Sequence, residues 1–295
     1  SHPGFPVLLV TPGPDANIGR SSVAHVFQQV IADLKASEEI LESYPQQDVY
    51  HASTQAVEAL LARVNLYKED WALAADYASR VISRTTLAQG EDYLNMYQTV
   101  TPGKESIFRL NGHLKGSRIA DYYTPAGPTG YASEKLIDLF EDPADIRLQL
   151  LDISGGSNAT TKYYIPGLSE DERQVDLFLI RASEMYLIRA EANAELGNLD
   201  TAAQDLKTLQ ARALQVDVSE VELEVASKEG LLDLIMIERA KELSFEGHRL
   251  FDLTRTGRDL ERAASVNSSV KSIAYPSPLF ILPIPETELN ANENI

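Results

Sequence analysis

The stretch Glu238 to Gly257, ERAKELSFEGHRLFDLTRTG, sets four acids (Glu238, Glu242, Glu246, Asp252), four cations (Arg239, Lys241, Arg249, Arg255) and His248 around Leu243, Phe245, Leu250, Phe251 and Leu253. Paired carboxylates can serve as acid and base in glycoside hydrolysis, but one of them must then be held protonated in an apolar pocket with no cation beside it. The other chemistry is mutual neutralisation, because a buried ionised carboxylate is costly unless paired and hydrogen-bonded. Cations are abundant here. The stretch is therefore expected to be a structural clasp built from Glu238, Arg239, Glu242, Glu246, Arg249, Asp252 and Arg255. Arg239, Arg249 and Arg255 are the local cations whose planar forks can bridge two carboxylates. Glu246 and His248 lack the HExxH spacing of a zinc helix, and His2, His25, His51 and His113 do not assemble a ligand set. No metal or other cofactor is expected.

The element carrying these acids reads as a helix. From Leu231 the stripe Leu231, Ile235, Glu238, Glu242, Phe245 runs down one face, so two carboxylates interrupt an apolar row. Helical spacing also marks residues 22 to 43, with Ser21 or Ser22 as N-cap, and residues 52 to 68 and 70 to 84, divided by KED. A second hairpin, 181 to 196 and 199 to 214, is divided by LGNL, and a shift of 128 positions carries Ala62 onto Ala190, Ala74 onto Ala202 and Ala75 onto Ala203. Alanines where helices cross, followed by a tight turn, form a tetratricopeptide-type pattern, with a generic helical hairpin as the alternative. Two copies so far apart in sequence are not expected to stack as a regular solenoid.

Residues 85 to 180 are rich in Gly, Pro, Ser and Thr and read as loops and short strands around one short helix near 133 to 141. After Gly257 the chain reads as an extended strap, since YPSPLFILPIP cannot be a helix interior. The expected organisation is one mainly α domain over 1–295. It comprises an extended lead (1–20), helices including the first pair (21–84), a loop-rich insert (85–180), the second pair with the charged helix (181–257) and the strap (258–295).

Length, 295 residues, and 44% hydrophobic content suffice for a folded core, while the net charge of −18 argues against nucleic acid or anionic lipid as a partner. No run is long and apolar enough for a membrane helix. The absence of cysteine excludes disulfides and thiolate chemistry within this stretch. The opening SHPGFPVLLV is no signal peptide. TPGKES lacks the spacing of a phosphate-binding loop.

The charged stretch resembles the signature E-R-x-x-E-L-x-F-E-G-x-R-x-x-D-L-x-R-x-G of the SusD/RagB family of outer-membrane nutrient-binding lipoproteins, matching at every fixed position from Glu238 to Gly257. RASEMYLIRAEANAELGNLDTAAQDL is similar to the family's helix pair through Arg181, Glu184, Tyr186, Leu187, Ala190 and Glu191, with Ile180 and Ser183 as departures. ALLARVNLYKEDWALAADYASRVI is similar to its earlier pair and LFILPIPETELNANENI to its closing motif, where Glu293 replaces the usual proline. The resemblance covers roughly 20 to 295 and implies a signal peptide, a lipid-bearing cysteine and further helices upstream.

It also implies a binding protein and not an enzyme. Such a protein would face outward from the cell's outer membrane, lipid-anchored at full length, and pass a captured glycan to a SusC-like TonB-dependent transporter. The alternative is a peptide- or protein-binding helical-repeat module of the RagB type. Sugar faces stack on aromatic rings while their hydroxyls take hydrogen bonds. The resemblance implies ligand loops mainly in this insert and in the upstream amino-terminal part, so Tyr122 and Tyr123, then Tyr163 and Tyr164, are the candidate stacking residues within this stretch, with Asn111, His113 and Arg118 as polar companions. Strand alternation can instead turn one tyrosine of each pair inward. Trp71 is read as a helix-packing residue.

Overall fold

A computed structural model describes residues 4–13, 16, 18–44, 48–99, 103–112, 119–123, 130–153, 155, 156, 158–163, 176–292 and 294. Helix α1 (Val23–Leu41) begins where the Ser22 hydroxyl accepts the His25 amide, leaving Ser21 outside the cap. The first pair is α2 (Thr54–Tyr67) and α3 (Trp71–Ile82). Helices α4 (Gly90–Gln98), α5 (Ile119–Tyr123) and α6 (Glu134–Ile137) follow, then a 3-10 turn at Ile146–Leu150. The second pair is α7 (Ala182–Glu195) and α8 (Leu199–Leu214), and the charged stretch divides into α9 (Lys228–Glu242) and α10 (Arg249–Arg255). Two short antiparallel ribbons complete the frame, β1 (Ser106–Leu110) with β2 (Leu177–Arg181), and β3 (Leu260–Glu261) with β4 (Ser272–Ile273).

The two pairs are repeats in structure as well as sequence. Asp70 N donates to Asn65 O at 2.9 Å and Asn198 N to Asn193 O at 2.8 Å, while the side-chain amides of Asn65 and Asn193 reach back to Leu61 O and Arg189 O. Both turns contain a left-handed residue at the same place, Glu69 (φ 61°) and Gly197 (φ 84°). Contrary to the sequence expectation, the pairs stack directly. Helix α3 packs on α7, and the insert loops out from between them. Fully buried Ala62, Ala74, Ala78 and Ala192 allow this approach, with Leu61, Met185 and Ile188 filling the layer. Helix α9 then packs on α7 and α8, and α1 packs on α2.

Three other expectations change. The insert holds more helix than its composition suggested, with α4 sealing a core of Tyr93, Met96, Tyr97, Ile146 and Leu150. The strap includes a helical turn, α11 (Glu286–Ala291), beginning immediately after Pro285, where a missing amide costs nothing. Glu293 lies outside the described residues. Phe245 does not extend the α9 stripe, because the helix ends at Glu242 and Phe245 is left-handed at φ 65°.

Candidate ligand-binding site

Helix α9 delivers Glu238 and Glu242 into the interior, one turn apart and both fully buried. Their partners come from far along the chain. Arg147 pairs with Glu238 and, at 3.1 Å, with Glu242. Glu242 also takes Arg212 at 2.6 Å and Arg181. Arg181 in turn holds Glu105 at 2.8 Å and Glu246 at 2.8 Å, and Asp145 locks the other edge of Arg147. A second knot on α10 joins Arg239 and Arg255 to Asp252, with Arg255 reaching Glu191 on α7.

Burial alone would raise Glu238, Glu242, Glu246 and Asp252, but the cations prevail. Arg212, Arg181 and Arg147 hold Glu242 well below the carboxylate range, and Arg147 lowers Glu238. Arg181 and Lys162 bring Glu246 to about 2. Asp252 is lowered by Arg239 and Arg255. Glu238, Glu242, Glu246 and Asp252 are each ion-paired, whereas the general acid of glycoside hydrolysis needs a raised pKa with no cation beside it.

The clasp shapes the turn that follows. Phe245 and Gly247 (φ 83°) both occupy the left-handed region, which for a bulky aromatic is strained and must be imposed by its surroundings. Lys162 donates to the carbonyls of Glu242 and Ser244, Arg181 to that of Glu242, and the Tyr163 hydroxyl to that of Phe245. The carbonyls left unsatisfied at the end of α9 thus face cations, the favourable partner for a helix C-terminus. The outer side of this turn lines a cavity of about 360 Å³ walled by Tyr123, Leu243, Phe245 and Leu250, with Arg239, His248, Arg249 and Asp252 as its polar groups. Burial lowers the His248 pKa, so its ring is neutral at pH 7.

The sequence candidates separate here. Tyr123 is half-buried, 5.2 Å from the Tyr163 ring and 5.7 Å from that of Phe245, and lines the cavity. Tyr122 is 60% exposed on the same short helix. Tyr163 points inward and is 2% exposed, so it offers no face to a ligand. Its hydroxyl donates to the Phe245 carbonyl and its ring packs on Tyr123, in a turn and not in an alternating strand. Asn111 is exposed just past β1 and is not among the residues lining this cavity. Tyr164, His113 and Arg118 lie outside the described residues.

Arg249 also departs from its expected role. It is exposed and, among the described residues, carries no ion pair, so it lines the cavity and does not close the clasp. The closing cations are Arg147, Lys162, Arg181 and Arg212, all distant in sequence. Two carboxylates on an apolar stripe require buried cationic partners but do not say which cations, local or distant, supply them.

Comparison with known proteins places this geometry. Residues 157–295 match the model described as the SusD family, and residues 2–66 match one described as starch-binding and associating with the outer membrane. SusD-like protein P38 of Formosa agariphila is 25% identical over 322 aligned positions, covering 90% of this chain. The chain spans 64% of that relative's length. A SusD superfamily protein of Bacteroides thetaiotaomicron superposes with a TM-score of 0.82 at 27% identity, over 99% of this chain and 70% of the other. A candidate sugar-binding protein of Bacteroides vulgatus gives 0.83 at 25% identity, over 99% and 69%. The matches lie at both ends of the chain and the shared fold runs through nearly all of it: the chain belongs to the SusD/RagB family.

Proposed function

We propose that this chain captures a glycan without cleaving it and, at the outer membrane, hands it to a TonB-dependent transporter of the SusC type. A lipid anchor in the full-length protein would hold it there, facing outward. The observation that carries the reading is the cavity over the signature turn, where Tyr123 and Phe245 form an aromatic wall and Arg249 offers donors not committed to an ion pair. Tyr122, exposed beside it, would extend the stacking surface. Ring faces accept sugar C–H groups, and a turn fixed from behind need not reorganise when a ligand arrives. The ionised, fully paired acids support capture over hydrolysis. The sugar-binding description of one structural neighbour and the starch-binding description of one family model support the ligand class.

Affinity electrophoresis through gels containing individual polysaccharides tests the reading, with Tyr122→Ala and Tyr122→Ala/Tyr123→Ala variants whose fold is checked by circular dichroism. Retardation of the wild type by one glycan, reduced in folded variants, supports it. Retardation unchanged in both variants, or binding of peptides only, removes the cavity or the ligand class respectively.

A further inference from the structure

The two helix-pair turns are equivalent in backbone but not in chemistry. At the left-handed position the second turn has Gly197, which adopts φ 84° freely, whereas the first has Glu69 at φ 61°. A side chain there costs about 1–2 kcal/mol relative to an ordinary conformation, a strain that asks for a reason. Two positions on, the second turn has Leu199 and the first has Trp71, the only tryptophan of the chain.

These differences meet in one place. Glu69, Trp71 and Tyr67 line a cavity of about 390 Å³ together with Met236, Arg255 and Thr256, on the side of α10 away from the signature turn. Glu191 and Glu195 also line it, already engaged by Arg255 and Lys228, and Arg258 is engaged by Asp233. Among the described residues, the Glu69 carboxylate, the Trp71 indole N–H and the Tyr67 hydroxyl make no hydrogen bond. The carboxylates outnumber the guanidiniums and repel an anion, and with the other charges paired only Glu69 is left to accept, a role that a hydroxyl donor can fill. What remains is a neutral ligand with an apolar face for the indole and hydroxyls for the three uncommitted groups.

We infer that this cavity is a second sugar site, taking one or two neutral pyranose units, at the turn of the first helix pair. It does not depend on the cavity over the signature turn, which shares neither Trp71 nor Glu69.

Trp71 makes the test direct, because its emission reports this cavity alone. The full chain is titrated with neutral malto-, cello-, manno- and galacto-oligosaccharides, with oligogalacturonate and chitosan oligosaccharide as charged controls. Expected is a saturable emission change with a neutral oligosaccharide that persists in the Tyr122→Ala/Tyr123→Ala variant. Loss of a hydrogen bond to a charged group predicts affinity at least about tenfold weaker in Glu69→Gly. Tyr67→Phe, which keeps the ring, should weaken it less. Glu69→Gly removes the side chain while relieving the backbone, so a folding defect cannot imitate the result. The inference is overturned by no response to any neutral sugar, by equal affinity in Glu69→Gly, by a stronger response to either charged control, or by loss of the signal in the tyrosine variant. A persistent Trp71 signal in a protein that no glycan gel retards through the tyrosines would leave this site standing and remove the first one.

Discussion

The Lys162 ammonium stands 2.6 Å from Oε1 of Glu246 and, from the same position, donates to the carbonyls of Glu242 and Ser244 at 3.1 Å each. One buried lysine from the insert thus ties the last turn of the signature helix to the turn that follows. Burial lowers its pKa, and Glu246 works against that shift. The lysine caps carbonyls at the end of α9, beside Arg181 on Glu242 O and the Tyr163 hydroxyl on Phe245 O.

Replacing Lys162 with Met should therefore cost about 3 kcal/mol, the usual penalty for leaving buried partners of an ion pair unsatisfied. Urea unfolding of the two proteins measures it. A loss below about 1 kcal/mol would mean that Arg181 and Tyr163 hold the turn without it.

Acid should unfold the protein in a defined window. Glu246 falls from 4.5 to about 2 in the folded state, and Glu238, Glu242, Glu184 and Asp252 are lowered too. A depressed carboxylate stabilises the fold fully above its unfolded pKa and loses that contribution as pH falls through the folded one. Stability should be level above about pH 5 and fall steeply toward pH 2, as read by thermal melts across that range. A flat profile would contradict ionised clasp acids.

The two arginines at the ends of α10 should behave oppositely. Arg255→Met strands Glu191 and part of Asp252 and should cost about 3 kcal/mol. Arg249→Met breaks no ion pair and should shift stability by less than about 0.5 kcal/mol while weakening glycan affinity. Melting curves and affinity gels on the same pair of variants separate frame from cavity.

The adjacent tyrosines should divide likewise. Tyr123→Ala removes a ring packed on Tyr163 and Phe245 and should cost about 2–3 kcal/mol, whereas Tyr122→Ala should fall within about 0.5 kcal/mol. Equal losses in chemical denaturation would place Tyr122 in the core, against its exposure.

Glu69→Gly should not destabilise. Relief of the left-handed side chain is offset in part by the greater freedom of glycine in the unfolded chain, leaving a gain of up to about 1 kcal/mol. A lower melting temperature would show that Glu69 serves the fold, and would weaken the case for a sugar site at that turn.

Residue types and spacing by themselves determined α1, the two helix pairs with their turns and kinship, and α9, because helix periodicity, caps and alanine crossings are local or repeat at a fixed interval. They also determined that Glu238 and Glu242 had to be paired, since carboxylates on an apolar stripe are buried wherever the helix packs. Only the tertiary structure decided with what. Arg181 and Arg147 lie 61 and 95 positions from Glu242, and they reach it because α3 stacks on α7 and the insert folds back over α9. Packing against Tyr123 and Phe245 turned Tyr163 inward, Arg249 has no ion-pair partner among the described residues, and Trp71 and Glu69 share one cavity with Arg255. Ion pairs and cavities join residues distant in sequence, and their identity is set by three-dimensional packing.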